Sequence, residues 1–169
     1  MVKQFFEVGV RYSRIADNGL QAKVTELYLV DATSFTEAET YITAEVAQYS
    51  TSDDFKVMTI KRSQISEIAI DKFGIASEIS AEAKKLTGEN LHANASVDRF
   101  YKVKVNWTVI DEKTEKIKRT PQYYLVAAGS LDAAHDVIRD YLRGSVQGYD
   151  IATVDESKII DVLIKTDKV

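Results

Sequence analysis

The sequence predicts an α+β fold built by internal duplication: two ββαββ units forming one compact pseudo-twofold body, with an inserted connector helix. Three observations predict it. At an offset of 95, Val8, Val10, Tyr12 and Ile15 match Val103, Val105, Trp107 and Ile110. At 96, Tyr28-Leu29-Val30, Ser34 and Ile42 match Tyr124-Leu125-Val126, Ser130 and Ile138, and at 94 Phe55, Val57, Thr59, Ser63, Ile65 and Ile68 match Tyr149, Ile151, Thr153, Ser157, Ile159 and Val162. Offsets that drift by one or two residues imply elements of fixed length joined by loops of varying length. The divisions expected are a first repeat at 1–70, a connector at 71–98 and a second repeat at 99–169.

Residues 5–15 alternate, with Phe6, Val8, Val10 and Tyr12 on one side and Glu7, Gly9, Arg11 and Ser13 on the other, the period-two signature of a half-buried strand. Asp17-Asn18-Gly19 tolerates the positive φ of a hairpin turn, so the chain should return from Lys23 to Asp31. Ser34, with Glu37 three residues on, has the capping-box spacing that opens a helix. Its apolar stripe is Phe35, Ala38, Ile42 and Val46, flanked by Tyr41 and Tyr49. Short strands at 55–60 and 65–70 complete the unit.

In the connector, ASEISAEAKKL at 76–86 reads as a short helix between Gly74 and Thr87-Gly88. The second repeat then restates the first. Tyr101, Val103, Val105, Trp107 and Val109 form the inward row, opposed by Lys102, Lys104, Asn106 and Thr108. Pro121 cannot donate to a ladder, so its strand should be an edge or begin nearby. Ser130 caps the second helix over the stripe Leu131, Ala134, Ile138 and Leu142, and strands at 149–154 and 159–164 close the unit. Trp107 is expected to be largely buried against that stripe.

At 169 residues, 45% hydrophobic and 28% charged, the composition is that of a soluble globular protein. No apolar run approaches a membrane span and no signal peptide is visible; cysteine is absent, which removes disulfides and thiol chemistry. A cytoplasmic setting is expected. Net charge is −4, so the chain as a whole lacks a basic nucleic-acid footprint. Residues 1–70 carry 7 basic and 10 acidic side chains, residues 99–169 carry 12 and 11, and the connector 3 and 5.

Catalytic patterns are missing. His92 and His135 are the only histidines and lack metal-ligand spacing. Asp53-Asp54 and Asp111-Glu112 are adjacent carboxylates in turns, where neighbouring side chains diverge. Ser34 and Ser130 recur as caps. No nucleophile elbow, phosphate-binding glycine loop or zinc-protease motif occurs, so a non-enzymatic role without cofactor or metal is expected.

One constellation suggests binding. Arg11, Lys23, Lys102, Lys104, Lys118 and Arg119 fall on hairpin strands near Tyr28, Tyr123 and Tyr124. Ammonium and guanidinium groups that track phosphates, beside rings that stack bases, would make a single-stranded nucleic-acid groove on a sheet face of the second repeat. The structural alternative is a solvated lysine face with amphipathic tyrosines packed at its edge. A charge contrast accompanies it: Lys56, Lys61 and Arg62 occupy positions equivalent to Asp150, Asp155 and Glu156, which could hold the halves together or drive self-association.

The segments KVTELYLVDATSFTEAE and KRSQISEI, with FYKVKV and YYLVAAGSLDAA after them, resemble an uncharacterised family, a domain of unknown function of Bacteroidales bacteria and their crAss-like phages. The resemblance covers nearly the whole chain. It implies a phage or mobile-element context and a bacterial host cytoplasm, and makes residues 76–86 an insertion. It implies no catalytic residue or cofactor. The reading expected from sequence is therefore an accessory protein that contacts single-stranded nucleic acid. The alternatives are a protein–protein module, as scaffold or inhibitor of a host factor, and a small-molecule binder in the cleft between repeats.

Overall fold

The computed structural model describes residues 4–69 and 99–164. The helix expected at 76–86 lies outside them. The fold is α+β, with strands arranged in two four-stranded sheets and a helix on each. In chain order the elements are β1 (Gln4–Ile15), β2 (Gln21–Ala32), α1 (Phe35–Val46), β3 (Lys56–Arg62) and β4 (Ile65–Ala69), then β5 (Arg99–Ile110), β6 (Ile117–Ala128), α2 (Leu131–Tyr141), β7 (Tyr149–Glu156) and β8 (Ile159–Leu163). A single 3-10 turn, Ala47–Tyr49, follows α1.

Local chemistry explains the boundaries. The first hairpin turns at Gly19, whose φ of 77° suits glycine, and Leu20 N donates to Oδ1 of Asn18 at 3.0 Å. The second turns through Asp111–Lys116, where Glu115 takes the left-handed conformation at φ 55°. Ser34 caps α1 by accepting from Glu37 N at 3.1 Å, and the Glu37 carboxylate returns to Thr33 N at 2.7 Å. Ser130 caps α2 by accepting from Ala133 N at 3.1 Å. Alanine at that position offers no return bond.

The sheets are assembled by exchange. The first has the order β3-β1-β2-β8 and the second β4-β6-β5-β7. Each half of the sequence thus supplies three strands to one sheet and its fourth strand to the other. The compact units are accordingly 1–64 with 158–169, and 65–157. They do not coincide with the divisions expected at 1–70 and 99–169, because each sheet takes one outer strand from the other stretch.

Link length gives the reason. β3 ends level with Phe6, at the sheet edge opposite to β8. To fill the β8 slot itself, β4 would have to cross three strand spacings, about 14 Å, and step back along the sheet as well. The link from Arg62 to Ile65 is Ser63-Gln64, which reaches about 11 Å fully extended. The strand therefore cannot double back. It joins the second sheet instead, pairing parallel with β6, as β8 pairs parallel with β2.

Within each unit the helix covers one sheet face. In the first unit Phe6, Val8, Val10, Tyr12, Tyr28 and Val30 pack under Ala38, Ile42 and Val46, with Leu163 from β8. In the second, Tyr101, Val103, Val105, Tyr124 and Val126 pack under Ala134, Ile138 and Leu142, with Ala69 from β4. A fully buried Ile or Val contributes roughly 1.5–3 kcal/mol. The inward rows are those the alternation predicts, with two corrections in the second. Val109 is exposed, and Trp107 is half-buried rather than enclosed. Its neighbours explain why: the indole packs tilted against Tyr149 with centroids 5.5 Å apart and donates to Oε1 of Gln122 at 2.9 Å. A polar partner holds it at the rim. Pro121 lies in an interior strand, yet β4 pairs with β6 only from Tyr123 onward, so the proline faces no ladder on that side.

Candidate binding faces and strand edges

The face of the second sheet away from α2 carries Lys102, Lys104, Asn106 and Thr108 from β5. Their register partners on β6 are Leu125, Tyr123, Pro121 and Arg119. Lys102 Nζ lies 4.8 Å from the centroid of the Tyr123 ring, and Lys104 is opposite the same tyrosine. Lys102, Lys104, Arg119 and Tyr123 are thus brought together. The face is not uniformly basic. Asp155 stands opposite Lys102 on β7, and Asp150 reaches Arg119 at 3.8 Å. Leu125 and Ile65, on this same face, are buried, so its open part lies toward Asn106, Pro121 and Arg119.

The other residues of the expected groove lie elsewhere. Tyr28 and Tyr124 are inward and buried, in the cores of the first and second units respectively. Burial raises the pKa of both hydroxyls above the ordinary tyrosine value. Neither ring can stack a base. Their parity decided this: each sits one residue from a fully buried leucine, on the helix side. Arg11 and Lys23 are exposed on the helix-free face of the first sheet, where Arg11 pairs with Lys56 and Lys23 with Ser13. Lys118 pairs with Val109 on the opposite side of the second hairpin from Arg119.

Of the adjacent carboxylates, Asp54 and Asp111 accept local bonds, Asp111 from Lys113 N at 2.9 Å. Asp54 accepts from Ser13 N at 2.9 Å, Ser13 Oγ at 2.6 Å and Ser50 Oγ at 2.9 Å. The Ser13 bonds, with that from Ser50, hold its carboxyl at about 2, below the ordinary 3.8. This clamps the segment after α1 onto β1. His135 contacts Arg139 on its own helix, Nδ1 to Nη2 at 2.8 Å. Among the described residues no group of histidines and carboxylates could hold a metal ion, and no helix is long and apolar enough to cross a membrane.

Two features escaped the sequence reading. One is the reach of the hairpins. β7 pairs with β5 only as far as Trp107, with Thr108 N still donating to Gly148 O at 2.9 Å, and β4 with β6 only from Tyr123, so Val109–Ile110 and Ile117–Lys118 pair with each other alone. Ile110 and Ile117 face one another at the end of this ribbon, 66% and 70% exposed. In the first unit Ile15, at the end of β1, and Leu20, in the turn, lie at the hairpin tip, 62% and 67% exposed. The available signal was apolar residues continuing past the ends of the neighbouring strands. The other feature is that β3 and β7 are outer strands of their sheets, each paired on one side.

No curated protein and no solved structure matches the chain. A family model does, across residues 4–165, which takes in both units. The chain belongs to the family DUF4494, a domain of unknown function.

Proposed function

We propose that the chain is a non-enzymatic protein-binding module, an accessory protein of a phage or mobile element that engages a partner through its projecting hairpins. The observation that carries this reading is the exposed apolar pair Ile110–Ile117, with Val109 beside it, on a ribbon with no strand on either side. Solvent-facing aliphatic residues grouped at a rigid tip are surface a partner would cover. Lys113, Lys116 and Lys118 with Asp111, Glu112 and Glu115 give the tip a polar rim. The shared element order of the two halves supports descent from one duplicated ββαββ unit.

The test is capture of partners from host lysate by wild type and by Ile110→Ser with Ile117→Ser. These side chains are outside both cores, so the variant should fold normally and lose a specific captured protein. Equal capture by both would overturn the reading.

A second reading, contact with single-stranded nucleic acid, is favoured by the two lysines flanking Tyr123. It expects salt-dependent retention of labelled oligonucleotides that weakens, with a flatter salt slope, in Lys102→Glu with Lys104→Glu. Wild-type protein that retains no oligonucleotide at low salt would remove it.

A further inference from the structure

The outer strands β3 and β7 are equivalent in sequence and opposite in charge. β3 reads KVMTIKR and β7 reads YDIATVDE. Each has an interrupted register, at Gly9/Val10 and at Lys104/Val105, that leaves one residue, Met58 or Ala152, without a partner. Such bulges and charges are how an edge strand is kept from indiscriminate pairing. Charges of one sign on one edge and of the other sign on the equivalent edge do something more selective. They repel like edges and leave one permitted match.

We infer that the β3 edge of one copy pairs antiparallel with the β7 edge of a second copy, joining the first sheet of one to the second sheet of the other. The orientation follows from the fold. The β2–α1–β3 and β6–α2–β7 connections have the same topology, and such crossovers take one hand. β3 and β7 therefore lie at the same side of their sheets when viewed with the helix in front. Two such edges meet either antiparallel with both helices on one face, or parallel with the helices on opposite faces. Only the antiparallel arrangement puts equivalent side-chain rows together.

The register is set by those rows. Lys56 then faces Asp155 of the second copy and Lys61 faces Asp150, both pairs on the helix-free side. Val57 meets Val154 and Ile60 meets Ile151 on the helix side, where all four are half-buried at present and would become covered. Arg62 comes over Tyr149. The bulges fall opposite each other and divide the ladder into two short stretches, so the association is a reversible one. Asp150 already contacts Arg119 through Oδ2, but both side chains are about two-thirds exposed and free to re-pair. The interface is heterologous: every copy has one donor edge and one acceptor edge, so chains grow or close into rings rather than stop at a symmetric pair. It is separate from the hairpin tips.

The experiment uses the full chain in sedimentation velocity over a concentration series, at low and high salt. Wild type should associate with concentration and dissociate as salt rises. Lys56→Glu with Lys61→Glu makes both edges acidic, and Asp150→Lys with Asp155→Lys makes both basic. Each variant alone should associate at least about tenfold more weakly. Mixed together they should associate again, because an acidic β3 now meets a basic β7. The chain has no cysteine, so register can be read directly: Lys61→Cys mixed with Asp150→Cys should give an intermolecular disulfide, and Lys61→Cys mixed with Asp155→Cys should not. Monomeric wild type throughout, a mixture that stays monomeric, or cross-linking without register preference would each overturn the inference.

Discussion

The carboxylate of Glu67, supplied on β4 by the first half of the sequence, accepts the hydroxyl of Tyr141, supplied on α2 by the second half. Gln122 reaches the other carboxylate oxygen at 3.4 Å and itself accepts from the Trp107 indole. A strand added by exchange is thus fastened by side chains as well as by its parallel ladder. Burial, then the bond and charge of Glu67, push the Tyr141 hydroxyl well above the ordinary value of 10. Tyr141→Phe and Glu67→Gln should each lower stability by about 1–2 kcal/mol, and the double variant by little more than either alone. Urea unfolding curves measure this, and fully additive losses would show that the two groups act independently.

Trp107 offers a probe of the same network. Because it is half-buried, Trp107→Ala should cost about 2–3 kcal/mol, near the low end for a large aromatic, and Trp107→Phe about 1 kcal/mol for the lost indole bond. Thermal midpoints equal to wild type in both would mean that the ring contributes nothing at the rim. As the only tryptophan, it also makes fluorescence report on the second unit.

Cutting the chain within 71–98 tests the exchange itself. The fragment 1–98 retains β1 to β3 but lacks β8, and the fragment 99–169 lacks β4. Neither should form a folded monomer, since each sheet loses the strand beside β2 or β6 and the core residue it carries, Leu163 or Ala69. Mixed, the fragments should recover native circular dichroism as a one-to-one complex. A folded, monomeric 1–98 would refute exchange.

Acid sensitivity should centre on Asp54. Its carboxyl is near 2 in the folded chain and near the ordinary 3.8 when unfolded. A depressed folded value contributes stability that is complete above about pH 4 and fades as pH falls toward 2. Asp54→Asn cannot titrate, so it should be less stable than wild type at neutral pH and show a flatter decline across that window. Parallel curves for the two proteins between pH 4 and 2 would place the acid response elsewhere.

How far the fold was legible follows from range. Val8-x-Val10-x-Tyr12, Ser34 with Glu37, and Asn18-Gly19 each act within a few residues, and period and capping chemistry read them correctly. The destination of β4 and β8 did not show in their own residues. Ile65 and Ile159 are apolar in either assignment, and what decides between sheets is the reach of Ser63-Gln64 and Ser157-Lys158 against the width of a sheet. The binding face was half legible for a similar reason. Lys102 and Lys104 are outward by alternation, and they are. Tyr123 and Tyr124 are adjacent, so only one could share that face, and parity with buried Val126 assigns Tyr124 to the core.

The exchanged strands also impose an order on the chain's birth. The open edge of β2 leaves the ribosome well before its partner β8, which is made only after both helices and the second hairpin. At about 5–20 residues per second that edge stays exposed for several seconds or more. The first unit therefore cannot mature until β8 has been made. Both sheets close late and together, and premature termination anywhere before Ile159 leaves a nascent chain with an unprotected strand, a natural substrate for chaperones and proteases.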